Sequence, residues 1–143
     1  MNALRLPYNE LSAAAYQGLL QTKKALADGP LDPCLIELTH LRVSQINGCS
    51  YCTQMHSQAL RRRGVENAKI DSVAGWRVSP RFDHTERAAL AWAESLTHVE
   101  ATAAPDVDYE ALKSYFSDAE ISDLTISVAL MNAFNRLAVG LRL

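Results

Sequence analysis

Cys49, Cys52 and His56 are the residues of this sequence whose types and spacing are best suited to chemistry. If their segment is helical, each residue turns about 100 degrees, so the three side chains fall within roughly a 60-degree arc of one helix face. A spacing of three residues lets two thiols close into a disulfide, and a spacing of four lets an imidazole take a thiol proton. One cysteine would attack a substrate while its neighbour resolves the product.

The position of the pair on its helix favours the thiolate form. Asn47-Gly48 ends the preceding helix, so both cysteines lie in the first turn of the next one. Unpaired backbone N–H groups and the helix dipole stabilise negative charge at that end of a helix. The sequence therefore predicts thiols that are more reactive than an ordinary cysteine.

An acidic partner for His56 comes from the helix before the break. Glu37 lies ten residues before Asn47, or roughly 15 Å back along a helix axis, and His56 lies nine residues after Asn47. If the two helices fold back on each other at Asn47-Gly48, the two side chains reach about the same depth. A carboxylate there would orient the imidazole, which predicts a relay of Glu37, His56, Cys52 and Cys49.

The elements that must position these residues are helices. Apolar residues recur at spacings of three and four, and strand signals are weak. Caps and breakers predict a compact all-α fold of six to seven helices, at about 9–27, 32–46, 49–63, 66–74, 83–97, 107–116 and 117–141. The first of these is expected to face inward through Leu11, Ala14, Ala15, Gly18, Leu19 and Ala25.

Composition limits the function classes. With 14 Lys+Arg against 16 Asp+Glu in 143 residues, the net charge of -2 disfavours nucleic-acid binding. The hydrophobic fraction of 48% is enough for one core, so residues 1–143 are expected to form a single domain. The longest uncharged stretch near the end of the chain is too short for a membrane span, and no signal peptide is visible, so a cytoplasmic location is expected.

The pattern of Glu37, eleven residues, Cys49-Ser-Tyr-Cys52, three residues and His56 resembles the alkylhydroperoxidase D-like branch of the carboxymuconolactone decarboxylase superfamily. Residues 132–136 resemble a recurring segment of its C-terminal helix. The resemblance implies an all-α subunit, assembled into homotrimers or homohexamers, that reduces peroxides with a cysteine pair and needs no metal and no organic cofactor.

The resemblance also implies the residue roles. Cys52 would attack the peroxide, and Cys49 would condense with the resulting sulfenic acid and accept electrons from an external dithiol. That donor is a lipoylated protein in the best-known member of the branch. Glu37 and His56 would move the proton. Tyr51 stands where that member has a second histidine, so the hydrogen-bond network of the site is expected to differ.

Two alternatives use the same residues. The first is a non-catalytic redox sensor, in which the disulfide changes a surface. The second is a zinc-binding structural module that uses Cys49, Cys52 and His56, with Glu37 or His40 as the fourth ligand. Outside these roles, His40 is expected to be a solvated residue on a helix face, and the alternatives are a place in the outer shell of the site or in a subunit contact.

Overall fold

The computed structural model describes residues 3–143, and this part of the chain is helical with no strand. The nine α-helices are α1 Tyr8–Leu11, α2 Ala13–Ala27, α3 Pro33–Ile46, α4 Ser50–Arg62, α5 Asn67–Asp71, α6 His84–Thr97, α7 Val99–Thr102, α8 Asp106–Leu112 and α9 Asp118–Leu141. A 3₁₀ turn, Val73–Gly75, follows α5. The all-α prediction is confirmed.

Helix boundaries agree with the sequence where a capping signal is strong. The Asp32 side chain accepts a hydrogen bond from the Leu35 N–H, and Pro33 opens α3. Capping boxes formed with Glu86 and Glu120 start α6 and α9. These helices begin within one residue of the predicted positions.

Three segments differ from the prediction. The helix expected over 9–27 is divided at Ser12, whose backbone leaves the helical region (φ -121°, ψ 44°). The expected link after α6 contains the short helix α7, and the helix expected over 107–116 ends at Leu112 because the chain turns there to bring Phe116 into the core. The division at Ser12 and the added α7 account for nine helices in place of seven.

The inward face predicted for the first helix is wrong. Leu11 is 68% exposed, and Leu26 is the buried residue of α2. The segment is apolar on several sides, so its composition does not select one face. Helix α2 packs on α9, and that contact selects a half-buried stripe containing Tyr16, Leu19 and Leu20.

Helix α3 lies at the centre and contacts α4, α6 and α9. One side of it joins the larger core cluster with α6 and α9, and another side joins a second cluster with α4, α5 and the 3₁₀ turn. A third, small cluster consists of Cys49, Cys52 and Ala138, which places both cysteines against α9. The central helix therefore brings α4 and α9 together around the cysteine pair.

Helix α9 is long and apolar enough, by length and composition alone, to cross a membrane. Its most apolar 18-residue window has a mean hydropathy of 1.4. Within this fold 39% of that window is buried, and α9 packs against α2, α3, α4 and α6. Its apolar residues Leu124, Val128 and Met131 belong to the core.

Candidate active site

The turn between α3 and α4 places the cysteines. Asn47 ends α3, and Gly48 has φ +65°, a left-handed conformation that glycine adopts without strain. Cys49 is the N-cap of α4, and its Sγ accepts a hydrogen bond from the Cys52 N–H at 3.2 Å. This turn reverses the chain, so α4 packs along α3 as predicted.

Cys49 and Cys52 are joined by a disulfide. Their Cα atoms are 5.3 Å apart, within the usual range for such a bridge. The two residues are only 2% and 3% exposed. The zinc alternative is not assembled in this form, because both sulfurs are bonded to each other.

Glu37 of α3 and His56 of α4 meet across the two helices. Nδ1 of His56 lies 2.7 Å from Oε2 of Glu37. Burial alone would raise the pKa of the Glu37 carboxyl, but the hydrogen bond and the charge interaction with His56 outweigh it and lower that pKa. In the neutral form of the imidazole, the carboxylate holds the proton on Nδ1, which leaves Nε2 as the proton acceptor. Among the described residues, this buried Nε2 has no hydrogen-bond partner.

His40 lies beside His56 and is buried, so the prediction of a solvated histidine is wrong. Its Nε2 is 2.7 Å from Oγ of Ser127, and its ring packs edge to face on His56 with centroids 5.1 Å apart. Burial, together with the charge of His56, lowers the pKa of His40 to about 3. His40 is therefore a neutral imidazole near neutral pH.

A cavity of about 250 Å³ opens beside Cys52 and His56. We call it the His56 cavity. Aromatic and apolar side chains form most of its wall, and Lys23 is its one cationic residue among those that line it: Tyr8, Tyr16, Leu20, Lys23, His40, Tyr51, Cys52, Met55, His56, Met131, Phe134, Ala138 and Leu143. Such a wall suits an organic molecule with a small reactive polar group.

A second cavity of about 200 Å³ lies beside Cys49. This Cys49 cavity is lined by Gly48, Cys49, Ser50, Tyr51, Ala138, Val139, Arg142 and Leu143. The two sulfurs therefore border different cavities, and Tyr51 lines both of them. Tyr51 was noted in the sequence only as a departure from a family pattern.

A network of amides fixes the turn to α9. Asn47 Nδ2 donates to Oδ1 of Asn132 at 2.9 Å and to Oδ1 of Asn135 at 3.0 Å. Asn135, which is fully buried, donates from Nδ2 to Oγ of Ser44 at 3.1 Å. Segment 132–136, singled out in the sequence by resemblance alone, thus holds the backbone that carries Cys49.

The third cysteine and the two other histidines of the chain lie elsewhere. Cys34 is a half-buried free cysteine near the start of α3. His84 and His98 are exposed at the two ends of α6. None of the three lines either cavity beside the cysteines.

A sequence model of the carboxymuconolactone decarboxylase family matches residues 12–95, a range that includes Glu37, the cysteine pair and His56. The chain belongs to this family. Within the family it falls in the alkylhydroperoxidase D-like branch, as the sequence pattern predicted.

Three similar proteins illustrate the family. The crystal structure of ATU0492 from Agrobacterium tumefaciens, a protein of unknown function provisionally described as an antioxidant defence protein AhpD, is similar with a TM-score of 0.94 and 35% identity, covering 98% of this chain and 96% of that chain. Uncharacterized protein YnjA of Escherichia coli is 30% identical over 90% of this chain and 68% of its own length. Uncharacterized protein YdfG of Bacillus subtilis is 25% identical over 96% of this chain and 93% of its own length.

Proposed function

We propose that this family member is a thiol-dependent hydroperoxide reductase that serves antioxidant defence. The observation that carries the proposal is the pairing of Glu37 with His56 beside the disulfide-bonded pair Cys49 and Cys52. The carboxylate fixes Nδ1 of the imidazole, and the unpartnered Nε2 belongs to a residue that lines the same cavity as Cys52. A base held in this way can activate a thiol nucleophile.

The first half of the cycle oxidises the protein. Nε2 of His56 takes the proton of the Cys52 thiol, and the thiolate attacks one peroxide oxygen of ROOH. The O–O bond breaks, the proton passes to the leaving oxygen as ROH, and Cys52 becomes a sulfenic acid. The Cys49 thiol then forms the disulfide, and water leaves. Glu37 stabilises the imidazolium while it exists.

The second half consumes an external dithiol. One thiolate of the donor attacks Sγ of Cys49 and releases Cys52, and the second donor thiol resolves the mixed disulfide. The sum is ROOH plus dithiol giving ROH, water and donor disulfide. We propose that the donor enters through the Cys49 cavity, because Cys52, the residue that meets the peroxide, lines the His56 cavity instead. A lipoylated protein is the donor that the family resemblance suggests.

We also propose that the chain forms homotrimers or homohexamers in the cytoplasm, a reducing compartment that regenerates the dithiol. An open groove of about 470 Å³ is lined mostly by apolar residues of α1, α2 and α9, together with Leu6 before α1 and Ser12 between α1 and α2: Leu6, Tyr8, Leu11, Ser12, Ala15, Tyr16, Leu19, Leu137 and Leu141. Subunit contacts would cover such a surface. A monomer by light scattering would contradict the assembly.

The test mixes reduced protein with hydroperoxide and follows free thiols and intact mass, with and without dihydrolipoamide. We expect a loss of about 2 Da through the Cys49–Cys52 disulfide and sustained peroxide consumption once dithiol is present. Stoichiometric oxidation that stops despite dithiol would indicate the redox sensor instead. Inert thiols would contradict both functions.

A further inference from the structure

Three metal-ligating side chains converge beside the His56 cavity, which two of them, His40 and His56, line. One carboxylate oxygen of Glu37 and one ring nitrogen each of His40 and His56 all lie within 4.8 Å of one another. Both histidines are buried and Glu37 is partly buried. Helix α3 supplies Glu37 and His40 from one face at a spacing of three residues, and α4 supplies His56.

We propose that Glu37, His40 and His56 form a binding site for one divalent transition-metal ion of the Zn²⁺ class, and that the bound ion switches off the proton acceptor of the site. Two imidazoles and a carboxylate are a ligand set that Zn²⁺ uses where one coordination position stays open. Ligand atoms about 2 Å from a tetrahedral ion lie about 3.3 Å apart, so the wider separations in the trio, up to 4.8 Å, must shorten and the Glu37–His56 pair, at 2.7 Å, must open by roughly 0.6 Å.

The hydrogen bonds around the trio suit a metal centre. His40 uses Nε2 on the hydroxyl of Ser127, which leaves Nδ1 as the nitrogen open to an ion. An oxygen partner on the second ring nitrogen is the usual support of a metal-bound histidine. The ion would take the place of the proton between Glu37 Oε2 and His56 Nδ1, two atoms that are already 2.7 Å apart.

This placement has a chemical consequence for His56. When the ion binds Nδ1, the proton of the neutral imidazole moves to Nε2. Nε2 then donates a hydrogen bond and cannot accept the proton of the Cys52 thiol. Metal binding and proton acceptance are therefore mutually exclusive. The inhibition rests on the proposed function, whereas the binding site does not.

One cation opposes the ion. Lys23 lines the same cavity as the imidazoles of His40 and His56, and its positive charge disfavours the binding of a metal ion there. Replacing Lys23 should raise the affinity for the metal ion, whereas replacing a ligand should lower it. Lys23→Gln should bind the metal more tightly than the wild type, an outcome that loss of folding cannot imitate.

The binding test uses untagged, fully oxidised protein in a Cys34→Ser background, so that no free thiol can hold the metal. Equilibrium dialysis with Zn²⁺ should give one bound ion per chain. Bound Co²⁺ should give the visible absorption bands typical of a four-coordinate site. We expect His40→Leu and Glu37→Gln each to weaken Zn²⁺ binding at least about a hundredfold, and Ser127→Ala to weaken it about tenfold. His40→Gln replaces His40→Leu if circular dichroism shows that the latter is unfolded.

The matched control removes the two exposed histidines with the double variant His84→Gln/His98→Gln, which should bind Zn²⁺ like the wild type. The proposal would be overturned if the oxidised protein bound no stoichiometric Zn²⁺, or if the folded His40 variant bound Zn²⁺ as tightly as the wild type. Loss of binding in the control variant would also overturn it.

A second measurement separates this proposal from the proposed function. Oxidation of the reduced Cys34→Ser protein by hydroperoxide is measured in a single turnover without added dithiol, because a dithiol would itself bind Zn²⁺, first with a chelator and then with one equivalent of Zn²⁺. His40→Leu is the comparison, since the ion should not slow a variant that lacks this ligand. We expect at least a tenfold fall with Zn²⁺ and recovery on chelation. If the chelated protein never consumes peroxide, the reductase fails, and Zn²⁺ binding by the oxidised protein still decides the metal site.

Discussion

Oε2 of Glu37 and Nδ1 of His56 lie 2.7 Å apart although the two residues are nineteen positions apart in the chain. The contact exists because α3 and α4 pack together on either side of the Asn47-Gly48 turn. It joins a carboxylate of lowered pKa to an imidazole whose other nitrogen is buried without a partner among residues 3–143. The contact with Glu37 fixes the orientation of the His56 ring and leaves its Nε2 atom as the proton acceptor.

The first prediction concerns this pair. Glu37→Gln and His56→Phe should each slow oxidation of the Cys52 thiol by hydroperoxide by about 10²- to 10⁴-fold, because the general base is misoriented or absent. Stopped-flow measurement of thiol loss provides the rate constant, and circular dichroism checks the fold. Glu100→Gln, an exposed carboxylate variant, should keep the wild-type rate. Unchanged rates in both site variants would remove the pair from the relay.

The second prediction distinguishes the two cysteines. Cys49→Ser should react with one equivalent of hydroperoxide and stop as a Cys52 sulfenic acid, about 16 Da heavier, which dimedone traps. Cys52→Ser should not react, because Cys49 borders the other cavity. Cys34→Ser should turn over normally with dithiol. A sulfenic acid on Cys49 in the Cys52→Ser variant would exchange the two roles.

The candidate site could be predicted from the sequence because its geometry is local. The caps of α3 and α4 and the break between them fix the register, and helix arithmetic brings Glu37 to His56. His40 could not be assigned by the same arithmetic. Helix α3 packs against α4, α6 and α9, so it has no wide solvent face and periodicity does not tell which polar residues are buried.

The hydrogen-bond partners that α3 residues find in distant parts of the sequence could not be predicted either. Ser127 and Asn135 are fully buried polar residues of α9 that bond to His40 and to Ser44 of α3. Their positions depend on how α9 crosses α3, and no local pattern encodes that crossing. The exposed Leu11 shows the opposite error, since an apolar residue was assigned to the core without knowledge of which helix would cover it.

The third prediction tests the amide network. Asn135→Ala should lower the free energy of unfolding by about 1–3 kcal/mol, because it removes one of the two acceptors of Asn47 and the donor to the buried hydroxyl of Ser44. Urea unfolding of the disulfide form measures the change. Gln17→Ala, on the exposed side of α2, should stay within about 0.5 kcal/mol of the wild type. Equal stability of the two variants would mean that the network does not stabilise the turn.

The fourth prediction concerns acid stability and Glu94. Burial alone would raise the pKa of this carboxyl, but hydrogen bonds from Trp76, Arg42 and Arg77 outweigh it and hold the pKa below its ordinary value of 4.5. The unfolded chain therefore binds more protons than the folded one in this range. The stabilisation by Glu94 is present above pH 4.5 and is lost as the pH falls through the folded pKa.

Glu94→Gln should remove this share of the pH dependence, because the amide does not titrate. The measurement is the free energy of unfolding in urea at about pH 6 and about pH 3, and the difference between the two should be smaller in Glu94→Gln than in the wild type. Glu100→Gln should retain the wild-type difference, since its carboxylate is exposed. If Glu94→Gln kept the full difference, the lowered pKa of Glu94 would not contribute to acid unfolding, and the other carboxylates would account for it.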